Sequence, residues 1–430
     1  MKLTIYDLSL VKDISCLKSE TANLVLYGAG QCGQRALRLL REAKISVLAF
    51  CNMNYRKWGT ELSGVPILSP AMLKRKMESP SPSIEPLYII ACVHRLDEAY
   101  YLIREFFSDA ESLTIRFITQ FALETACYFH RHELFQSNSP MSRLYLMEKS
   151  KYELLLASMI IDRLNGSSDF DTFWIFQPGK VGSLSICCML QNIGVPICHF
   201  HSIIYPEHIF GKALEQSWND VVSSFQTRKI KIITAVREPL ARDYSAFWEA
   251  FGQGMFPIGW YISAFQSSGG DFQKMYQTFI KIVLSDDLPR MRKENGKEIP
   301  DFWIDEFHWF DEQILNLFHI DIYAYPFDRE RGFGIIHADN ADIFIYKMEK
   351  LNELEAELSR FVGHSLKIAR EHDSEQRPYA ITYREFRKRV RLPAEYVNHY
   401  YVGNAKMDHF YTPEEKAAFL KQWEGNIVRD

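Results

Sequence analysis

The chain has 430 residues, 47% of them apolar, and a formal net charge of −4, which is enough material for two or three folded domains with real cores. That charge supplies no global field for nucleic acid, and the opening MKLTIYDLSL lacks both the basic start and the apolar core of a signal peptide. No apolar run is long enough to span a bilayer, so the expectation is a cytoplasmic protein with no transmembrane segment and no nucleic-acid partner.

From residue 24 to 93, short β-rich runs alternate with a helical pattern: LVLY, GAGQCGQRALRLLREA, VLAFC and later LYIIACV. This is a parallel βαβ reading. GAGQCG sets Gly28, Gly30 and Gly33 between strand and helix, where a dinucleotide fingerprint needs a tight turn, room for a pyrophosphate and close helix packing. The second strand ends in Cys51, Asn52, Met53 and Asn54, with none of the acidic residues that would hold a ribose hydroxyl, which weakens the case for an NAD-dependent oxidoreductase. Two readings stay open. Asn52 bonds a ribose while Arg56 and Lys57 meet a phosphate, or the glycine turn only packs. The segments VLYGAGQCGQRALRLL, LAFCNMN, KWGTELSGVPILSP and YIIACV resemble the small Rossmann-like domain at the front of bacterial sugar-modifying and polysaccharide-biosynthesis proteins. The resemblance implies a nucleotide or sugar-nucleotide site in some members and a scaffold in others.

Ser79–Pro86, SPSPSIEP, reads as a loop inside this domain, because a third strand follows it. The domain is assigned to residues 1–138. The NSP at 138–140 precedes a long helical pattern from Met141 to Leu164, expected to bridge two domains over residues 139–168. The eight cysteines, Cys16, Cys32, Cys51, Cys92, Cys127, Cys187, Cys188 and Cys198, form no CxxC pair. They read as reduced, buried thiols, and no metal site is expected.

Phe173–Ser185, FWIFQPGKVGSLS, is an apolar strand breaking into a Pro/Gly/Lys/Ser loop that continues as a helix. Such a junction aims the first backbone N–H groups of a helix at one point, where an anion is favoured. Lys180, Ser183 and Ser185 add a cation and two hydroxyls. PICHFH follows as a strand, and KIITAV (Lys231–Val236) ends at Arg237 and opens a helix carrying Ser245. Two anion sites imply a ligand with separated phosphates. A Walker loop is excluded because the lysine precedes the last glycine and no glycine stands five residues before it. Arg242 reads equally as a second phosphate ligand or a solvated helix residue.

This part, residues 169–430, resembles the sulfotransferases that use 3′-phosphoadenosine 5′-phosphosulfate (PAPS), and more closely the sulfotransferase-like family of capsular polysaccharide synthesis proteins. PGKVGSLS is similar to the 5′-phosphosulfate loop, VREPLARDYSAFWE to the 3′-phosphate site, and IFIYKMEKLNELEAELSRFVG to the strand, acidic turn and helix that close the core. FDEQILNLFHIDIYAYPFDRERGFGI, YREFRKRVRLPAEYV and HFYTPEE extend the likeness to the capsule-type family. The implied fold is α/β, an N-terminal Rossmann-like domain followed by a P-loop-like sulfotransferase domain with a parallel sheet.

The resemblance implies a donor site of Gly179, Lys180, Val181, Gly182, Ser183, Leu184 and Ser185 for the 5′-phosphosulfate, with Arg237 and Ser245 for the 3′-phosphate. Lys180 would stabilise the leaving oxygen, and His201, assisted by His199, would take the proton of an acceptor hydroxyl on a saccharide or surface polysaccharide precursor. Two departures stand against this pattern. Leu184 replaces a second hydroxyl residue, and REHDSEQRPYAITYREF keeps only a tyrosine of the family's Asn-Lys-Trp-Tyr-Ser. Two alternatives follow: an inactive domain that binds nucleotide or glycan in capsule assembly, and a nucleotide-sugar oxidoreductase acting through GAGQCG. Arg384, Arg387, Lys388, Arg389 and Arg391 form a basic cluster on an expected helix, open to an anionic glycan, to the nucleotide or to solvent alone. The aromatic run Phe302–Phe310, FWIDEFHWF, is assigned to the core.

Overall fold

A computed structural model describes residues 2–5, 23–77, 87–92, 103–107, 114–119, 123, 157, 162, 171–201, 229–253, 271–284, 306–368 and 380–428. The expected bridging helix and the SPSPSIEP loop lie outside these residues, apart from Ala157 and Asp162. The chain forms two compact units, residues 1–173 with 194–199 and residues 174–193 with 200–430. Both sheets mix with helices and contain parallel strands, so the class is α/β.

The first sheet has seven strands: β1 (Lys2–Ile5), β2 (Asn23–Tyr27), β3 (Ala49–Cys51), β4 (Glu61–Leu62), β5 (Val65–Leu68), β6 (Leu87–Ala91) and β7 (Thr114–Thr119). Their order is β1-β7-β6-β2-β3-β5-β4. Every pairing is parallel except the β4–β5 hairpin at the edge. Strands buried on both faces read as unbroken apolar runs, and Leu24, Val25 and Leu26 are fully buried. Helix α1 (Gln31–Glu42) turns Ala36, Leu37 and Leu40 onto Leu24, Leu26 and Phe50, and α2 (Pro70–Met77) follows β5. Because β2 lies between β3 and β6, the chain leaves it on one side and returns on the other, the arrangement that opens a crevice at the strand's carboxyl end. GAGQCG sits at that end.

The second sheet has the order β11-β12-β10-β8-β9. Its strands are β8 (Phe173–Phe176), β9 (Ile197–Phe200), β10 (Ile230–Val236), β11 (Phe333–His337) and β12 (Ala341–Lys347). β10 and β12 pair in parallel over seven residues, Ile230 opposite Ala341 through Val236 opposite Lys347, and β11 runs antiparallel to β12. Helix α3 (Ser183–Asn192) follows β8, and α4 (Pro239–Gln253) follows β10. Downstream stand α5 (Phe272–Val283), α6 (Glu306–Trp309), α7 (Glu355–Val362), α8 (Ala380–Arg389), α9 (Ala394–Tyr401), α10 (Ala405–Phe410) and α11 (Pro413–Trp423). A small parallel pair, β13 (Leu392–Pro393) with β14 (Ile427–Val428), fastens the end of this region.

The second core is aromatic. Phe176 packs its ring 4.9 Å from Trp309 and 5.0 Å from Phe200, both at tilted or edge-on angles that favour ring quadrupoles. Phe307, Trp309 and Phe310 are each buried to 1% exposure, so the described aromatic residues of the FWIDEFHWF run are core, while His308 between them is exposed. α6 then widens into a π-helical turn over Phe310–Leu315. Cys32, Cys51, Cys92, Cys187, Cys188 and Cys198 are thiols rather than disulfides, and burial pushes Cys51 up to about 12.

Candidate functional site

The lysine loop takes its shape from two residues in the left-handed region. Lys180 has φ 71° and Gly182 has φ 87° with ψ 20°. A glycine adopts this without penalty, whereas a lysine there is uncommon and holds strain that its surroundings must offset. Val181 between them is fully buried and anchors the loop from below. A Cβ added at Gly179 would meet nothing within 4 Å, so the space beside that residue is open. Gly182 caps α3 with no side-chain bond and the first turn carries no acidic residue. The Ser185 N–H closes a turn on the Gly182 carbonyl at 3.2 Å. Ser183 is buried at 6% exposure, while Leu184 and Ser185 are half-buried.

Three strand ends meet at this loop. His201, just past β9, has its Nδ1 2.9 Å from the carbonyl of Gln177, the first residue after β8. A carbonyl only accepts, so Nδ1 carries the proton and donates, leaving the lone pair on Nε2 in the neutral ring. The Trp309 indole N–H donates to the His201 carbonyl. His199 lies within β9 and is half-buried. Past β10, Arg237 donates from Nη1 to the Lys180 carbonyl at 2.9 Å. The arginine expected to grip a phosphate therefore also clamps the residue beside it.

Arg242 is not a solvated helix residue. It is 1% exposed, pairs with Asp243 at 2.9 Å and donates from Nε to the Gly179 carbonyl at 3.2 Å. Asp243 in turn accepts from the hydroxyls of Tyr396 and Tyr400 at 2.8 and 2.7 Å. Burial raises the Asp243 carboxyl above its ordinary range, against the pull of Arg242 and both tyrosines. Ser245, buried at 8% exposure, stands three residues further along α4; from this helix the reach to the loop is made by Arg242.

The start of α4 rests on a group of buried acids that sequence reasoning did not single out. The Glu238 carboxylate caps the helix, accepting from Leu240 N at 3.1 Å and Ala241 N at 2.7 Å, with Pro239 at the first helical position. Tyr401 and Trp423 also donate to it. Glu306 accepts from the Arg237 N–H at 3.1 Å, and Glu349 from the Glu238 N–H at 2.7 Å. Burial raises all three carboxyls, Glu306 furthest above the usual carboxylate range.

A carboxyl whose folded pKa exceeds its unfolded one stabilises the fold fully below the unfolded value, near 4.5, and loses that contribution as pH rises toward the folded value. Glu306→Gln keeps a carbonyl for the Arg237 N–H and cannot ionise. Thermal melts from pH 4.5 to pH 8 should therefore show a flatter decline for this variant, with a midpoint a few degrees above wild type at pH 8. A melting curve that falls with pH as steeply as wild type would contradict the assignment.

In the first unit the glycine turn is built as its spacing implies. Gly28 has φ 108°, and a Cβ on Gly33 would lie 2.0 Å from the Gly28 carbonyl oxygen, so only glycine fits there. Gly30 caps α1 and has open space around it. Asn52 is occupied locally: its Oδ1 accepts from Asn54 N at 2.7 Å and its carbonyl from the Trp58 indole at 2.6 Å. Of the two basic residues, Lys57 reaches the turn, donating to the Ala29 carbonyl at 3.0 Å. Arg56 lies over the Tyr55 ring instead, 5.9 Å from its centroid.

Among the described residues, no helix is long and apolar enough to cross a membrane, and no group of three His, Cys, Asp or Glu is arranged to hold a metal ion. No curated protein and no solved structure matches the chain. Residues 301–412 match the model of the NKWYS family, whose description is "putative capsular polysaccharide synthesis protein". That segment supplies Glu306, Glu349, Tyr396, Tyr400, Tyr401 and Tyr411, the residues that close around the start of α4, while the lysine loop and Arg237 precede it.

Proposed function

We propose that the C-terminal unit, folded as a P-loop-like sulfotransferase domain, transfers a sulfuryl group from PAPS to a hydroxyl of a saccharide or surface polysaccharide precursor. The observation that carries this reading is the bond between His201 Nδ1 and the Gln177 carbonyl, which joins a base of fixed tautomer to the first residue of the lysine loop. The residues present suit such a donor: a cation at Lys180, hydroxyls at Ser183 and Ser185, a guanidinium at Arg237 and open space at Gly179. When bound, the nucleotide supplies an activated sulfuryl group. His201 holds the lone pair on Nε2 that takes the acceptor's proton. Lys180 and the α3 N-terminus place positive charge where an anion gathers, and Arg237 offers a planar fork to a second phosphate while holding the Lys180 carbonyl.

One observation favours a second reading. Arg237 already donates to the Lys180 carbonyl, so a domain that binds nucleotide or glycan without transfer is compatible with the same loop. The GAGQCG unit, a mostly parallel sheet in which Lys57 donates to the Ala29 carbonyl, is proposed as a Rossmann-like nucleotide or sugar-nucleotide site or as a scaffold.

Calorimetry with 3′-phosphoadenosine 5′-phosphate, AMP and NAD separates these readings. Selective binding of the 3′-phosphorylated nucleotide is expected, weakened in Arg237→Ala by about 1.5–3 kcal/mol, the worth of a charge-assisted bond. Folded protein that binds none of the three would remove the donor reading, and NAD binding alone would move the chemistry to the first unit.

A further inference from the structure

Strand β9 ends at Phe200, and the next residue, His201, is bonded to groups from elsewhere in the unit. On one side its Nδ1 meets the Gln177 carbonyl at 2.9 Å. On the other its own carbonyl accepts from the Trp309 indole N–H at 2.5 Å. The ring and the backbone of one residue are held by two different elements, the start of the lysine loop and α6. A bond to the ring alone does not stop the backbone beneath it from turning, and a ring carried round by its backbone loses the angle at which Nδ1 meets its acceptor.

Trp309 is itself fixed. It is buried, with its ring 4.9 Å from Phe176 and 5.2 Å from Phe310, so packing aims the indole N–H, and that N–H, out of water, needs the acceptor it finds. Phe176 is the residue before Gln177, and its ring also packs 5.0 Å from Phe200, the residue before His201. The same aromatic cluster therefore seats both ends of the bond between His201 and Gln177.

Helix α6 reaches a second strand end as well. Glu306 and Trp309 are three apart and share one face of the helix. Glu306 accepts from the Arg237 N–H at 3.1 Å while Trp309 donates to His201, so one turn of helix holds the residue past β9 and the residue past β10 together. The helix widens into its π-helical turn at Phe310, directly after Trp309, and such turns gather at functional sites.

We propose that Trp309 is the positioning residue of His201: through the His201 carbonyl it holds the imidazole in the orientation and tautomer a base needs, and with Glu306 it keeps that base in register with Arg237. The assignment rests on His201 acting as the base of the proposed transfer. A tryptophan with a merely structural role would stabilise the core and leave the imidazole unaffected.

The test is ¹⁵N NMR of the full chain labelled at histidine, with the His201 ring signals identified by their loss in His201→Gln. Wild type should show the proton on Nδ1 and the lone pair on Nε2. In Trp309→Phe, which keeps a ring in the cluster and removes the N–H, the two tautomers should exchange and the Nε2 signal should move toward its protonated position. Turnover should fall about fivefold, the worth of one neutral hydrogen bond, with the KM for nucleotide unchanged. Replacing Trp309 by benzothienylalanine, which has the shape of tryptophan with sulfur in place of the N–H, should give the same shift at close to wild-type stability, and it decides the question where Trp309→Phe does not fold. Phe310→Leu, a comparable loss from the same core that leaves the indole in place, should destabilise the unit without moving the His201 signals. Unmoved His201 signals in the benzothienylalanine protein, or an equal shift in Phe310→Leu, would overturn the proposal. The ring signals are read without nucleotide, and calorimetry on the same samples reports the donor reading, so the two fail separately.

Discussion

Arg242→Met should destabilise the C-terminal unit by about 3–5 kcal/mol, measured by chemical denaturation, because it removes one partner of a buried ion pair and leaves the other uncompensated. Asp243 is 1% exposed and would keep only the hydroxyls of Tyr396 and Tyr400. The Gly179 carbonyl would lose its donor as well, so the loop should loosen and nucleotide affinity fall with stability. Arg242→Met/Asp243→Leu should regain part of the loss, since an apolar pair of similar volume avoids burying a charge. Recovery stays partial because the two tyrosine hydroxyls then lack an acceptor. A single-variant loss below about 1 kcal/mol would mean the pair behaves as an exposed one.

If the proposed sulfuryl transfer is the reaction, His201→Gln should lower it by about 10²- to 10⁴-fold, the usual worth of a positioned general base, with nucleotide binding unchanged. A base acts only when deprotonated, so wild-type turnover should fall at acid pH and the residual turnover of the variant should lose that dependence. The substituted side chain retains an amide N–H that can donate toward the Gln177 carbonyl, so the loop contact seen in the wild type need not collapse. Turnover equal to wild type would remove His201 from the chemistry and shift attention to His199, and loss of binding together with turnover would make it a residue that shapes the loop.

The parts of the molecule that follow short-range rules were legible in the chain. Glycine at 28 and 33 answers a positive φ and a close approach, and the apolar runs that became β2, β6, β8 and β10 could not be solvated. The basic cluster fell on a helix as its spacing implied, apart from Arg391 just beyond it. What could not be read was which polar groups would be buried together. Arg242 sits in LARDYSAFWE, where a charged residue looks solvated, and only the tyrosines of α9, some 150 residues on, make its pairing with Asp243 tenable. Glu306 lies in an aromatic run, so its neighbours announced core while its own carboxyl gave no periodic signal. The backbone of Lys180 was equally hidden, because a left-handed lysine is tolerated only where Arg237 and Arg242 hold the adjoining carbonyls. The π-helical turn after Trp309 has no counterpart in the 3.6-residue pattern from which the helix was read.

The bonds that shape the loop span 57 residues from Arg237 to Lys180, 111 from Glu238 to Glu349, 163 from Glu238 to Tyr401 and 185 from Glu238 to Trp423. Contacts so distant in sequence form late, since the entropy of closing each loop is lost before the contact returns anything. β10 likewise finds its parallel neighbour β12 only after a gap of more than a hundred residues. During synthesis, a ribosome that has released FWIFQPGKVGSLS has therefore released the lysine loop but not the partners that shape it. Glu238 lacks its full set of tyrosine and tryptophan donors until Trp423 emerges, so the start of α4 is completed only when translation is nearly finished, and any shortened product that stops before α11 leaves it incomplete.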